Sequence, residues 1–240
     1  MIAAIVPAAG VGLRMDADLP KQFLTLGGRP LVVRTLQELS RSSLIEEVVL
    51  VVPADWVAKA RTDLVEHYGL EKVVSVVAGG ARRQDSVACG LEALSADTDV
   101  VVVHDGVRPF VTSQMVKDVI EAAREAGAAV TAHPASDTIK REAGGQVVET
   151  IERQGLICVQ TPQAFRTEVL REALDKAEAD RVEGTDEAAL VERLGRPVRV
   201  VAGSSSNLKV TTPEDWALAE QVALALDRSA APGSKAEGRP

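Results

Sequence analysis

The N-terminal stretch joins an uncharged strand to a loop that suits an anion, and it constrains the fold more than any other feature. Residues 2–6 form an apolar run, which is typical of a strand buried on both faces of a parallel sheet. Pro7 ends this run because it has no N–H to donate. Arg14 and Lys21 then place two cations on the segment that follows. The small residues that let a backbone approach a ligand closely are Ala8, Ala9, Gly10 and Gly12. The stretch therefore predicts a site for a polyanion such as a nucleoside triphosphate.

Apolar runs recur along the chain with helical patterns between them, and this rhythm predicts the fold class. The runs are residues 2–6, 48–52, 73–78 and 100–103, and the helical patterns lie near residues 31–39, 56–67 and 86–94. Strand alternating with helix predicts an α/β protein with a Rossmann-like, mostly parallel sheet flanked by helices. Ligands on such sheets bind at the carboxyl ends of the strands, which places the first loop in the site.

Two further strand ends carry candidate site residues. After residues 73–78 come two glycines, and Asp85 or Ser86 is expected to cap the next helix. Arg82 and Arg83 have two possible roles. They are solvated arginines on a plain capped helix, or they contact a base or ribose. After residues 100–103 comes Asp105, a carboxylate that is costly to bury without a cation or strong donors.

Asp105 has two interpretations that the sequence leaves open. It bonds to Arg108 or to loop amides, or it serves a Mg²⁺ held by the triphosphate, since Mg²⁺ prefers one or two carboxylates with phosphate oxygens and water. His104, beside it, is predicted to be a packed structural histidine and not a catalytic base.

Six stretches in order resemble the polyol-phosphate cytidylyltransferases, and within that family the enzymes of non-mevalonate isoprenoid synthesis that act on 2-C-methyl-D-erythritol 4-phosphate. The resemblance covers roughly residues 1–226. Val107 departs from the family pattern, because it is larger than the residue that it replaces and stands at the ribose edge of the expected pocket. The stretches are P-A-A-G-x-G-x-R-M with P-K-Q, G-G-x-x-R-x-x-S-V, V-H-D-G-V-R-P, T-P-Q-x-F, T-D-E-A and N-L-K-V-T-x-P-E-D.

The resemblance implies an enzyme that joins CTP to a polyol phosphate with Mg²⁺ as cofactor. It implies catalytic roles for Arg14, Lys21 and Lys209, with Asp105 serving the metal. The implied nucleotide-binding residues are Pro7, Ala8, Ala9, Gly10, Gly12, Gly80, Ser86, Asp105 and Gly106. The implied residues for the polyol phosphate are Arg108, Thr138, Arg153 and Thr161.

After the βα units, a predicted hairpin interrupts the alternation of strands and helices. Two alternating segments flank Gly144 and Gly145, and such a hairpin is marginally stable without a partner surface. In the family this arm exchanges between subunits, which implies a homodimer whose site receives Thr138 and Arg153 from the other chain; the alternative is an ordinary surface hairpin. We expect one domain over residues 1–228, with the arm at about 135–158, and a disordered tail at 229–240.

Composition limits the partners. The net charge of −8 and the aromatic fraction of 2% argue against nucleic-acid binding, and no apolar run is long enough to span a membrane. The two cysteines lack metal-ligand spacing, which favours a reduced cytoplasmic protein.

Three rival functions stay open at this stage. One is a cytidylyltransferase that uses ribitol 5-phosphate as acceptor. A glycosyltransferase usually carries an Asp-x-Asp metal pair, and the spacing of Asp16 and Asp18 matches it only within the first loop. A non-catalytic nucleotide-binding scaffold would tolerate loss of the phosphate cations, yet Arg14, Lys21 and Lys209 are all present.

Overall fold

The computed structural model describes residues 1–10 and 19–230, and a seven-stranded sheet forms its centre. The described strands are β1 (Ile2–Pro7), β2 (Thr25–Leu26), β3 (Arg29–Pro30), β4 (Glu47–Val52), β5 (Val73–Ala78), β6 (Val100–Val103), β7 (Ala128–Pro134), β8 (Ile139–Ala143), β9 (Gln146–Ile151), β10 (Ile157–Arg166) and β11 (Arg199–Ala202). The described α-helices are α1 (Leu31–Arg41), α2 (Val57–Ala60), α3 (Arg83–Glu92), α4 (Ser113–Ala126), α5 (Thr167–Asp180), α6 (Glu187–Arg193) and α7 (Pro213–Ala230). Short 3₁₀ turns form at Lys21–Phe23 and Ala54–Trp56.

The central sheet confirms the predicted fold class. Its strand order is β11-β7-β10-β6-β1-β4-β5, and β1 pairs in parallel with both β4 and β6. One strand differs from a purely parallel arrangement, because β10 runs antiparallel between β6 and β7. The sequence analysis did not predict β10 as a strand. Its register shifts between Gln160 and Gln163, around Pro162, and such an irregularity is where a sheet tolerates a proline.

Helices cover both faces of the sheet, which explains why β1 carries no polar residue. Ala4 and Val6 of β1 belong to the core on the face of α1 and α4, whereas Ile5 belongs to the core on the opposite face, with residues of α3 and α5. Because successive side chains of a strand point to opposite faces, a strand between two helix layers must be apolar throughout.

Three predicted elements differ in detail from the structure. The helical pattern near residues 56–67 does form a helical stretch, but only α2 is α-helical and Arg61–Glu66 is π-helical. Helix α3 begins at Arg83, so neither Asp85 nor Ser86 is its N-cap residue. Asp85 still takes part in the cap, because its carboxylate accepts a hydrogen bond from the backbone N–H of the N-cap residue Arg82 at 3.0 Å. Helix α7 continues through Ala230, beyond the predicted start of the tail, and residues 231–240 lie outside the described part.

The predicted hairpin forms as a separate two-stranded sheet of β8 and β9. Gly144 and Gly145 form its turn with φ of +60° and +79°, the left-handed conformation that a two-residue hairpin turn requires. Val147 and Val148 are 61% and 56% exposed, so the hairpin has little apolar cover within the chain. None of the described helices is both long and apolar enough to cross a membrane.

Candidate active site

A cavity of about 540 Å³ opens where β1, β5 and β6 end, which is the edge that the fold class predicts for a ligand. A cavity of this size suits a small molecule such as a nucleotide. The residues that line it are Pro7, Ala8, Ala9, Gly10, Lys21, Gln22, Gly80, Ala81, Arg82, Arg83, Ser86, Asp105, Val107, Lys209 and Thr211.

Most of the predicted nucleotide residues meet in this cavity. Of the predicted catalytic residues, Lys21 and Lys209 line it, whereas Arg14 lies outside the described residues, as does the loop glycine Gly12. Gly106 does not line the cavity but lies against its wall, where its N–H donates to the Pro7 carbonyl at 3.3 Å. Val107 also lines the cavity, and its effect on the ribose edge stays a prediction.

Close packing explains the glycine at position 80. A Cβ on Gly80 would lie 2.4 Å from the Cβ of Asp85, in the first turn of α3. Only glycine therefore lets the end of β5 turn so tightly into that helix. In the same turn Ser86 is 3% exposed, and its hydroxyl donates to the Arg82 carbonyl at 3.2 Å while it lines the cavity.

Three cations surround Asp105, which is 6% exposed. One oxygen lies 3.1 Å from Arg83, and the other lies 3.0 Å from Lys209 and 3.4 Å from Arg108. Burial by itself favours the protonated acid, but Arg83, Lys209 and Arg108 outweigh it and hold the pKa of Asp105 well below its usual range. The carboxylate is therefore ionised, and the predicted contact with Arg108 is present.

Arg83 forms an ion pair with the buried Glu187 that the sequence analysis missed. Of the two interpretations left open for Arg82 and Arg83, simple solvation does not hold, because Arg83 donates to both Glu187 oxygens at 2.7 Å and also contacts Asp105. Both arginines line the cavity, and their contact with a base or ribose stays a prediction. Arg82 pairs with Asp85 at 2.6 Å and with Glu178 at 3.0 Å. Glu187 is 1% exposed, and burial raises the pKa of its carboxyl against the opposing effect of Arg83. No local pattern links the two residues, because 104 positions separate them.

The residues behind the cavity hold its wall in place. Thr161 is 4% exposed, and its hydroxyl accepts from the Asp105 N–H at 3.0 Å. Arg108 donates to the Asn207 carbonyl at 2.8 Å. His104 is fully buried with Nε2 3.0 Å from the Arg108 carbonyl, and burial lowers its pKa to about 4, as a packed structural histidine requires. Arg108 and Thr161 thus contact Asp105 without lining the cavity.

Lys209 reaches Asp105 from a segment that is hydrogen-bonded to β10 and to the loop after β6. Asn207 is fully buried, and its amide donates to the Thr161 carbonyl at 2.8 Å. Val210 donates its N–H to the Val107 carbonyl at 3.0 Å. These bonds fix the backbone on either side of Lys209, so its ammonium group is held at the cavity by the fold.

Thr138 and Arg153 are separate from the cavity in a single chain. Both are exposed at the base of the hairpin, and Arg153 donates to the Ser136 carbonyl there. Neither lines the cavity. The chain alone therefore does not bring these two predicted residues to Asp105.

A metal ion at this site would need ligands from the nucleotide. In the part of the chain that the structure describes, no group of three or more His, Cys, Asp and Glu side chains could hold a metal ion. Asp105 nevertheless presents one ionised carboxylate to the cavity, and Mg²⁺ is commonly bound by one or two carboxylates with substrate phosphates. The donor set therefore fits a Mg²⁺ that arrives with a triphosphate, provided that Lys209, which is 42% exposed, yields its contact with Asp105.

Comparisons with known proteins agree with this geometry. A family model described as IspD, 2-C-methyl-D-erythritol 4-phosphate cytidylyltransferase, matches residues 2–224. The protein of that name from Geobacter metallireducens is 49% identical over 222 residues, which cover 91% of this chain and 96% of the relative. The protein of that name from Syntrophus aciditrophicus is 47% identical, covering 91% of this chain and 94% of the relative.

Solved structures give the same result. The crystal structure of 4-diphosphocytidyl-2C-methyl-D-erythritol synthase from Anaerococcus prevotii superposes with a TM-score of 0.80 at 35% identity, covering 92% of this chain and 95% of that one. The crystal structure of 2-C-methyl-D-erythritol 4-phosphate cytidylyltransferase from Thermus thermophilus gives 0.76 at 37% identity, covering 92% and 98%.

Proposed function

The chain belongs to the 2-C-methyl-D-erythritol 4-phosphate cytidylyltransferase family. We propose that its cavity transfers CMP from CTP to 2-C-methyl-D-erythritol 4-phosphate by the mechanism described below. The products are 4-diphosphocytidyl-2-C-methyl-D-erythritol and pyrophosphate. The observation that carries the proposal is the meeting of Lys21, Lys209 and Asp105 in one cavity at the strand ends, beside the loop of small residues. The family gives no support to ribitol 5-phosphate as the acceptor, nor to a glycosyltransferase.

In the proposed reaction a phosphate oxygen of the polyol phosphate attacks the α-phosphorus of CTP. A new P–O bond forms there, and the bond to the bridging oxygen breaks, so that pyrophosphate leaves with its electron pair. The second pKa of a phosphate monoester is about 6, so the nucleophile is largely ionised at pH 7 and needs no general base. The full burial of His104 and its contact with the Arg108 carbonyl agree with a site that has no catalytic histidine.

The main barrier is then repulsion between two polyanions, and cations lower it. Lys21 and Lys209 would stabilise negative charge on the α-phosphate and on the leaving pyrophosphate, together with Arg14. Residues 7–10, Gly12, Gly80, Ser86 and Gly106 would hold the nucleotide. Arg108 and Thr161 would bind the polyol phosphate directly, or they would support the part of the cavity wall that binds it.

Mg²⁺ would enter with CTP and neutralise charge on the phosphate oxygens. Asp105 is the residue that would hold it, because it is the ionised carboxylate of the cavity lining. Release of Asp105 by Lys209 would also free that ammonium group for the α-phosphate.

We further propose a homodimer whose site is completed across the interface. Thr138 and Arg153 lie outside the cavity of their own chain, and the exposed valines of the hairpin would gain cover from a second copy. The proposed location is the cytoplasm, in line with two cysteines that are both free in the described part. No nucleic-acid partner is proposed, given the net charge of −8.

The test is pyrophosphate release with CTP and Mg²⁺, using 2-C-methyl-D-erythritol 4-phosphate or ribitol 5-phosphate as acceptor. We expect turnover with the erythritol compound and little with ribitol 5-phosphate. Turnover with ribitol 5-phosphate alone would keep the chemistry but contradict the acceptor. Binding of CTP without turnover on either acceptor would favour a nucleotide-binding scaffold.

A further inference from the structure

Gln22 is a buried amide in the cavity lining for which the reaction described above has no role. It is 2% exposed, and its side-chain nitrogen donates to the Ala8 carbonyl at 2.6 Å and to the Gly10 carbonyl at 3.0 Å. Both N–H groups of the amide are therefore used on the backbone of the loop that follows β1.

The two ends of this contact are fastened to the rest of the fold. On the loop side, the Ala8 N–H donates to the Val51 carbonyl of β4 at 2.7 Å. On the Gln22 side, the Lys21–Phe23 turn is anchored by Phe23, which stacks on Trp56 with ring centroids 4.1 Å apart. The amide thus joins two parts of the cavity wall that the sheet and the core already hold.

The chemistry of the position favours a neutral amide. A backbone carbonyl carries partial negative charge, and two carbonyls that faced the nucleotide phosphates would repel them. Gln22 occupies both carbonyls with donors and adds no charge beside Lys21. A carboxylate of the same length would place an oxygen acceptor where the amide nitrogen now faces both carbonyl acceptors, and it would do so out of water, where an unpaired polar group is most costly.

We propose that Gln22 is a positioning residue, which clamps residues 8–10 to the turn that carries Lys21 and so fixes the phosphate-facing loop against its cation. This inference rests on the proposed function of the same cavity. Misplacement of a binding group by about 1 Å can cost about 10²-fold in rate, so loss of the clamp is expected to be severe although Gln22 touches no reacting atom.

The experiment compares Gln22→Glu and Gln22→Met with the wild type, and Gln114→Glu is the matched control because Gln114 is exposed on α4. CTP affinity is measured by calorimetry, and kcat and KM are measured for both substrates between pH 6 and pH 8.5. We expect Gln22→Glu at pH 8 to lose about 10²-fold in kcat/KM for CTP, with KM for the polyol phosphate nearly unchanged.

The pH profile separates positioning from a general structural defect. A buried Glu that faces two carbonyls has a raised pKa, and its protonated form again donates one hydrogen bond. The deficit of Gln22→Glu relative to the wild type should therefore shrink toward pH 6, whereas Gln22→Met should show a deficit that does not change with pH. Gln114→Glu should match the wild type throughout.

Two outcomes would overturn the inference. One is wild-type CTP affinity and kcat/KM in Gln22→Met, which also decides the matter if Gln22→Glu does not fold. The other is a deficit in Gln22→Glu that has no pH dependence and affects both substrates equally. Absence of turnover in the wild type would instead count against the proposed function, and CTP affinity would still test the clamp.

Discussion

At the scale of single residues, the site depends on one carboxylate shared among three cations. Asp105 contacts Arg83, Arg108 and Lys209, and they keep it ionised despite its burial. Among these cations Lys209 has the most exposed side chain, at 42% against 31% for Arg83 and 10% for Arg108. It is therefore the one that can move most readily from Asp105 to a phosphate.

Replacement of Lys209 should affect catalysis more than stability. We expect Lys209→Met to lower kcat by about 10²–10³-fold, because it removes a preorganised charge at the reacting phosphate. Steady-state kinetics with CTP and 2-C-methyl-D-erythritol 4-phosphate measure the effect. The control is Lys176→Met, since Lys176 forms an exposed pair with Asp180 on α5. An unchanged kcat in Lys209→Met would remove this lysine from the mechanism.

His104 should make stability depend on pH. Burial lowers its pKa to about 4 from an ordinary value of 6.5. Between these values the unfolded chain binds a proton that the folded chain does not, so the free energy of unfolding should fall as the pH drops from 6.5 toward 4, by up to about 3 kcal/mol. The lowered pKa of Asp105 acts at lower pH than this window, whereas the raised pKa of Glu187 acts within it with the opposite sign, so the comparison with a His104 variant is needed to isolate the histidine.

Urea unfolding of the wild type and of His104→Gln at pH 7.5, 6 and 5 measures this contribution. The variant should lose most of the slope in this range, even if it is less stable at every pH. The control, His67→Gln, removes an exposed imidazole. Parallel pH profiles for the wild type and His104→Gln would contradict the assignment.

Among the structural elements, the hairpin of β8 and β9 is the one that stands apart from the central sheet. It forms a sheet of its own, and its valines face solvent. A hairpin this isolated gains stability when another surface covers it. Thr138 and Arg153 lie at the base of the hairpin. In a dimer that forms through the hairpin, the interface would therefore determine the positions of both side chains.

Complementation tests the shared site. Lys21→Ala and Arg153→Ala should each be nearly inactive, but a heterodimer retains one site with Lys21 from one chain and Arg153 from the other. Random assortment after co-expression should restore about one quarter of wild-type activity, because half of the dimers each carry one intact site. The double variant co-expressed with wild-type protein is the control, since its heterodimers have no intact site. No recovery in the first mixture would contradict a site shared between subunits.

At the scale of the whole molecule, the cavity is an outcome of how helices pack on the central sheet. Helix α3 carries Arg83 and Ser86 at its start and lies against β1 and β4 near its end. A Cβ on Gly90 would lie 2.5 Å from Ile5 Cγ2 and 3.1 Å from Val51 Cγ2, so glycine sets how closely this helix approaches the sheet. The core and the cavity are therefore coupled through one helix.

Gly90→Ala should weaken both stability and binding. Overpacking costs about 1–3 kcal/mol, which generally exceeds the gain of about 1 kcal/mol that alanine brings to a helix interior. Chemical denaturation should show a lower free energy of unfolding, and calorimetry should show weaker CTP binding as the start of α3 shifts. Glu92→Ala, at an exposed position of the same helix, is the control. If Gly90→Ala were as stable as the wild type, α3 would be able to shift away from the sheet without cost, which would contradict the prediction.

Features that depend on neighbouring residues could be predicted from the amino-acid sequence alone. The buried strand β1, the loop of small residues and the Gly144–Gly145 turn follow from hydrophobic pattern, side-chain size and glycine's access to positive φ. The antiparallel insertion of β10 between β6 and β7, and the pairing of Arg83 with the buried Glu187, could be seen only in the folded chain. The physical reason is that backbone pairing and the balance between desolvation and ion pairing depend on groups brought together from distant positions, here 104 residues apart.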